Sequence, residues 1–445
     1  MIPAVTSLHL SSLGLPDSAV KCSVCLNKDM KHYVRTTTGT TNEFYRHSAE
    51  SPKYGEGQGK TSSPSNWLFQ SSTILLALHA LVTGVLLTSI CNCFKSQRVA
   101  ESYVDDTDCM YCDQSDQTED TDAISAKIQN TAQTWETIVF GTGGALSLKK
   151  TCWWLLHWTW KGGKATMLTV AQAPARIAIT IGRSTIPTTI TRKEPNQSVK
   201  QLGVLVNPAG SFAAELERRV KYSTSLATQL RRVNMTPTNA LRLYRNIWLP
   251  SCQYPLAVTS FTKDECAEIE KPFLRAIISK LGFNKKSACE FIFGSMKYGG
   301  FQFHHLYLEQ GYLALKHLIG HLREVTVTGN QIMVALSKAQ LISGSAQPFL
   351  EGVTEDRSYV PASWLGSIRT FLSTCKGKVV IQNAWTPKPQ RTHDHLLMDD
   401  FLTAKPGSAT LANLNAVRLF LGATSLADVC NNEGTCIEPW ALTGS

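Results

Sequence analysis

The sequence predicts a two-part chain, a mixed α/β (α+β) portion to about residue 205 followed by a mainly α-helical portion. Three observations carry this. In Glu101-Ser-Tyr-Val-Asp-Asp-Thr-Asp108, an aromatic and a β-branched residue lead into two adjacent aspartates, which fits a tight strand-turn-strand hairpin. Residues 165–192 are rich in Thr, Ile and Ala with few charges and read as strands. After Val204 the apolar residues recur at helical spacing instead.

At 445 residues the chain can bury a sizeable core and form two or three domains. Its 43% apolar and 18% charged residues are those of a globular protein. The net charge is +10, yet residues 101–122 hold nine acids and no base, so the remainder is nearly twice as positive as the whole. A positive body around one negative pocket suits a protein that binds a polyanion and holds cations at one point. The thirteen cysteines are odd in number and scattered, and no secretory signal opens the sequence. Free thiols in an intracellular compartment, cytoplasm or nucleus, are expected, with no secretion. Cys22 with Cys25 and Cys109 with Cys112 are spaced as CxxC and together could make a four-thiolate zinc site, but the second pair lacks the glycine turns of a zinc knuckle and free thiols are expected instead.

Along the chain, Leu13-Gly-Leu-Pro16 reads as a helix end and turn, and residues 32–41 as a β-hairpin. Gly55, Gly57 and Gly59 permit close backbone approach. Gly59-Lys60-Thr61 closes this stretch, but the position five residues before Gly59 is Tyr54 rather than glycine, so the spacing does not match a P-loop. From Thr61 to Phe94 there is no charged residue. That length permits either a buried helix leading into a strand or, as an alternative, a membrane anchor over residues 68–94. Behind the hairpin an acidic run ends at Asp122, an expected helix N-cap. Ile124, Ile128, Ala132, Trp135 and Val139 then give an amphipathic helix that stops at Gly141-Thr-Gly-Gly144. Lys149 and Lys150 precede Trp153, Trp154, Trp158 and Trp160, a mixture that suits either a nucleic-acid surface or, more simply, a packed sheet.

In the second portion, Phe212 to Val233 gathers Phe212, Leu216, Val220, Ala227 and Leu230 on one side and Arg218, Lys221 and Arg232 on the other. That basic face suits the backbone of a nucleic acid, and equally a solvated helix surface. A helix over residues 238–248 follows Pro237, and another opens with the capping box Thr262-x-x-Glu265. Two more are expected near 306–323 and 326–342, then a looser stretch from about 350 and a last helix at Leu411–Leu421. His393-Asp-His395 has no further ligand set near it in sequence.

The order Gly55-Glu-Gly-Gln-Gly59, Tyr103-Val-Asp-Asp106, Thr142-Gly-Gly144 and Leu202-Gly-Val204 resembles the palm of reverse transcriptases from non-LTR-type retroelements, as in diatoms and other microbial eukaryotes. The likeness continues through Leu281-Gly-Phe-Asn284 and Tyr298-Gly-Gly300 to the terminal segment and covers nearly the whole chain. It implies an incomplete polymerase palm over 1–205, a helical thumb or connection over 206–345 and a C-terminal extension over 346–445. The implied activity is that of an RNA-directed DNA polymerase, templated nucleotidyl transfer with two Mg²⁺ ions. Asp105 would be the principal ligand and Asp106 its partner. Gly57, Gln58 and Gly59 would face the nucleotide and template, and Lys149 and Lys150 the phosphates. The implied partners are an RNA template, a DNA primer and deoxynucleotides. Nothing before Asp17 is acidic, whereas the family places its first catalytic aspartate on a strand ahead of the Gly-Leu-Pro. The resemblance therefore implies an N-terminally truncated member, inactive in this form. A non-enzymatic nucleic-acid-binding remnant is the alternative.

Overall fold

The computed structural model describes residues 3–27, 31–45, 63–103, 106–112, 121–161, 164–284, 287–355 and 357–443. The chain is a mixed α/β protein in which helices predominate, and among the described residues every sheet has two strands. It forms two compact units, one comprising Met1–Leu86, Gln97–Lys161 and Ala165–Pro195, the other Leu87–Ser96, Gly162–Lys164 and Asn196–Ser445.

The first unit is built on the helix Thr121–Gly141, which opens one residue ahead of Asp122 and so takes that acid into its first turn. Its Ile124, Ile128 and Ala132 pack on Trp153, Leu155, Ile177, Ile179 and Ile190, as the helical periodicity predicts. Polar residues on the neighbouring face bind strand backbone. Gln133 accepts from Thr180 N (2.8 Å) and donates to Thr180 O (3.1 Å), and Glu136 Oε1 accepts from Gly182 N (2.7 Å). The helix ends at the expected glycine turn. Gly143 takes φ +82° and Gly144 N returns to Val139 O at 2.9 Å, so the turn satisfies a carbonyl that the helix leaves open. Of the tryptophans, Trp153 is buried while Trp158 is exposed. Arg192 lies 5.1 Å from the Trp153 ring centroid.

The uncharged stretch divides into a helix, Ser63–Leu81, and a strand, Val85–Thr88, paired with Lys95–Arg98. Gly84 marks the change, because a Cβ there would lie 2.0 Å from Arg98 O. The stretch over 68–94 considered as an anchor is thus divided between this helix and a strand pair. Among the described residues no helix is long and apolar enough to cross a membrane.

In the second unit the helices Ala213–Arg232 and Lys263–Lys280 carry the main core with the segment between them. That segment begins as the helix Pro237–Leu243, widens into a π-turn over Tyr244–Trp248 and resumes over Leu249–Gln253. Pro250 has no N–H to continue the ordinary ladder, and the wide turn lies directly before it. The turn aims two aromatic rings inward. Trp248 stacks on Phe273 (4.6 Å, 5°) and Tyr244 on Phe303 (3.9 Å, 9°), while Trp248 Nε1 donates to Ser223 Oγ at 2.7 Å. The capping box forms with both arms, Glu265 N to Thr262 Oγ1 at 3.2 Å and Thr262 N to Glu265 Oε2 at 2.7 Å. Leu306–Arg323, Val327–Ser343 and Ser408–Phe420 match the later expected helices to within a few residues.

The stretch after 350 is not loose. It holds the helices Trp364–Thr374 and Leu397–Ala404, with Phe349, Leu350, Leu365, Ile368 and Leu372 in a second core. Two arginines here are buried against carbonyls. Arg369 donates to Phe349 O (2.5 Å), Gly352 O and Glu355 O (2.9 Å), and Arg418 to Leu341 O (2.8 Å) and Ile342 O (2.9 Å).

Candidate functional site

Strands Ala100–Tyr103 and Asp106–Cys109 pair antiparallel with Tyr103 opposite Asp106, Ser102 opposite Thr107 and Glu101 opposite Asp108. Only Val104 and Asp105 separate the strands, so the expected hairpin is present and its connection has two residues. Asp105 itself lies outside the described residues, as do Gly57, Gln58 and Gly59. Side chains alternate along a strand, so Glu101, Tyr103, Asp106 and Asp108 share one face and Ser102, Thr107 and Cys109 the other. Thr107 Oγ1 donates to Ser102 Oγ at 2.9 Å on that second face.

The first face is crowded with negative charge. Loss of solvation, then the like charges of Glu101 and Asp106, push the Asp108 carboxyl above the usual carboxylate range. Arg98 relieves part of this, with its Nε 3.4 Å from Glu101 Oε1. Among the described residues no three His, Cys, Asp or Glu side chains gather as a metal-binding group.

Lys149 and Lys150 are exposed in the turn before the strand Cys152–Trp153. That strand runs parallel to Thr191–Arg192, with Thr191 opposite Cys152. Burial raises the Cys152 thiol, Lys193 lowers it and Asp108 raises it again, so the acidic face, Cys152 and Lys193 share one neighbourhood. Lys193 is a basic residue that sequence reasoning passes over. Its place depends on a pairing across some forty residues, which no local pattern announces.

In the second unit the expected basic face is divided. Lys221 and Arg232 are exposed, but Arg218 is part-buried and engaged by neighbouring groups. Its guanidinium lies 2.7 Å from Glu215 Oε2 and donates to Gly203 O at 2.5 Å. Glu215 is fully buried and also accepts from Arg219 Nε (2.6 Å) and Leu205 N (2.9 Å). The groove beside this helix, about 700 Å³, is lined by Leu216, Val220, Lys221 and Thr224 together with Glu217 and Glu268. Two carboxylates at its rim favour basic over acidic ligands there.

His304 and His305 point to different acids, His304 Nδ1 lying 2.9 Å from Glu309 Oε2 and His305 Nδ1 3.5 Å from Glu270 Oε1. In His393-Asp-His395, Asp394 accepts backbone N–H groups from Gln390, His395 and Ala427, a turn-holding role.

Compared with known proteins, the chain matches no protein-family model, and no curated protein resembles it at a significant level.

Proposed function

We propose that this chain is a reverse-transcriptase-like protein of a retroelement, carrying one side of a two-metal site for templated addition of deoxynucleotides. The observation that supports this reading most is the two-residue hairpin in which Tyr103 faces Asp106 and three carboxylates line one strand face. Hard carboxylate oxygens held against one another's charge suit a hard divalent cation such as Mg²⁺. When bound, that ion would supply Lewis acidity toward phosphate oxygens. The chain's own part is positional. Asp105 and Asp106 offer ligands from one side, the paired strands keep Asp106 beside Asp108, and Lys149 and Lys150 present exposed ammonium groups to a phosphate backbone. Two-metal transfer needs carboxylates on both sides of the ion pair, and Asp105 and Asp106 supply one. These 445 residues alone are therefore proposed not to polymerise.

The test uses the purified chain, Mn²⁺ as a paramagnetic probe and an RNA–DNA duplex. Mn²⁺ binding is expected to fall at least tenfold in Asp105→Asn/Asp106→Asn, and duplex affinity to decline with salt. Unchanged Mn²⁺ binding in that double variant would sink the metal-site reading.

A second reading, a nucleic-acid-binding protein without chemistry, is favoured by exposed Lys221 and Arg232 on one helix. It predicts that Lys221→Ala/Arg232→Ala flattens the salt dependence of duplex binding by about two phosphate contacts while leaving Mn²⁺ binding intact.

A further inference from the structure

The turn between the strands Val85–Thr88 and Lys95–Arg98 carries two cysteines, Cys91 and Cys93, on either side of Asn92. Asn92 takes φ +58° and its N–H returns to Ser89 O at 2.9 Å, so the chain doubles back within three residues. The Cys93 thiol consequently meets Cys91, donating to its carbonyl at 3.4 Å. Ser89 Oγ lies 3.4 Å from Cys91 Sγ. The Ser89 oxygen already accepts Phe94 N–H at 3.0 Å, which leaves its own proton to point at the Cys91 sulfur. The Ser89 hydroxyl and the Cys93 thiol thus both contact Cys91, one at its sulfur and the other at its carbonyl.

This arrangement is held from outside the turn. Ile90 N donates to Ser337 Oγ on the Val327–Ser343 helix at 3.2 Å, and the Phe94 ring packs into the core that contains Phe349 and Leu336. Both thiols remain reachable, Cys91 partly exposed and Cys93 exposed. Hydrogen bonding from Ser89 outweighs burial and lowers the Cys91 thiol below its ordinary value, whereas contact with Cys91 raises Cys93. The buried Cys252 contrasts with them, since loss of solvation pushes its thiol up to about 12.

We propose that Cys91 and Cys93 form a reversible thiol-oxidation site, Cys91 acting as the nucleophile toward a hydroperoxide and Cys93 as the resolving thiol. In the first step Cys91 thiolate attacks the terminal peroxide oxygen, the O–O bond breaks, and an alcohol or water leaves as Cys91 becomes a sulfenic acid. In the second, Cys93 sulfur attacks Cys91 sulfur, the S–O bond breaks, and water leaves with the Cys93 proton. Two thiols are oxidised by two electrons and one hydroperoxide is reduced by two. The site is independent of the polymerase reading.

The sequence makes the test direct. Trypsin releases residues 61–95 with Cys91 and Cys93 as its only cysteines, and residues 370–376 with Cys375 alone. The reduced full chain is treated with substoichiometric hydrogen peroxide, blocked with N-ethylmaleimide, digested and weighed. The 61–95 peptide is expected unblocked and lighter by two hydrogens, restored by dithiothreitol, while exposed Cys375 stays blocked. In Cys93→Ser the same dose leaves a sulfenic acid on Cys91 that dimedone captures. In Ser89→Ala the oxidation of Cys91 slows at neutral pH, because the hydrogen bond that favours its thiolate is lost. The proposal is overturned if both thiols remain blocked at a dose that oxidises Cys375. It is equally overturned if dimedone marks Cys93 in Cys91→Ser as fast as it marks Cys91 in Cys93→Ser.

Discussion

The two units treat carboxylates in opposite ways. In the second, Glu215 is fully buried and each of its oxygens is matched, by Arg218 on both and by Arg219 Nε or Leu205 N. In the first, Glu101, Asp106 and Asp108 share a strand face, and Arg98 lies 3.4 Å from Glu101 there. A charge taken out of water must be neutralised where it sits, whereas charges near a surface are screened by solvent. The pattern in the second unit marks stability, and the proposed role of that in the first is to hold a cation.

The comparison breaks most sharply at Glu215. Replacing it with alanine leaves two part-buried guanidinium groups unpaired, and a loss of about 3–5 kcal/mol is expected in urea unfolding. Glu270 is the exception within the second unit and sharpens the rule. Burial raises its carboxyl to about 7, although Leu306 N donates to it. The folded state therefore holds a proton there that the unfolded chain releases near pH 4.5, so stability declines as pH rises from about 4.5 to 7 and levels off above. His305 beside it is lowered by burial and Lys263, which acts in the opposite direction below its ordinary 6.5. Against wild type, Glu270→Gln is expected to remove the decline and gain about 2 kcal/mol at pH 8, read by thermal or urea unfolding. A flat wild-type difference across that range would remove Glu270 from the account. Next in size, Thr262→Ala deletes one arm of the capping box and should lower stability by about 1 kcal/mol. The smallest effect has the opposite sign. Without added metal, Asp108→Asn relieves cross-strand repulsion and should strengthen hydrogen-exchange protection of the hairpin by about 0.5 kcal/mol. If Asp108→Asn destabilised the hairpin as Glu215→Ala destabilises its helix, the contrast between the units would fail.

Much of the local architecture was legible in advance. The hairpin at residues 100–109, the glycine stop after Gly141 and the capping box at Thr262 each involve groups within a few residues of one another. Periodicity likewise found the faces of the Thr121–Gly141 and Ala213–Arg232 helices. What it does not contain is the partner of each charge. Arg218 sits where a basic stripe belongs, yet its partner Gly203 O is supplied by a turn that the helix pattern does not contain. The region after 350 reads as loose because Pro361, Pro387 and Pro389 mark turns, whereas Arg369 and Arg418 are drawn inward by carbonyls at turns and helix ends.

By itself the sequence determined where several helices start and stop, where the acidic turn falls and which of their faces are apolar, because these follow from interactions between neighbours along the chain. Only the tertiary structure decided which charges are buried and answered. Arg418 meets the carbonyl of Leu341 across 77 positions, and Cys152 feels Asp108 and Lys193 together. Desolvation and pairing depend on what the folded chain brings alongside, and that is a property of packing rather than of order in sequence.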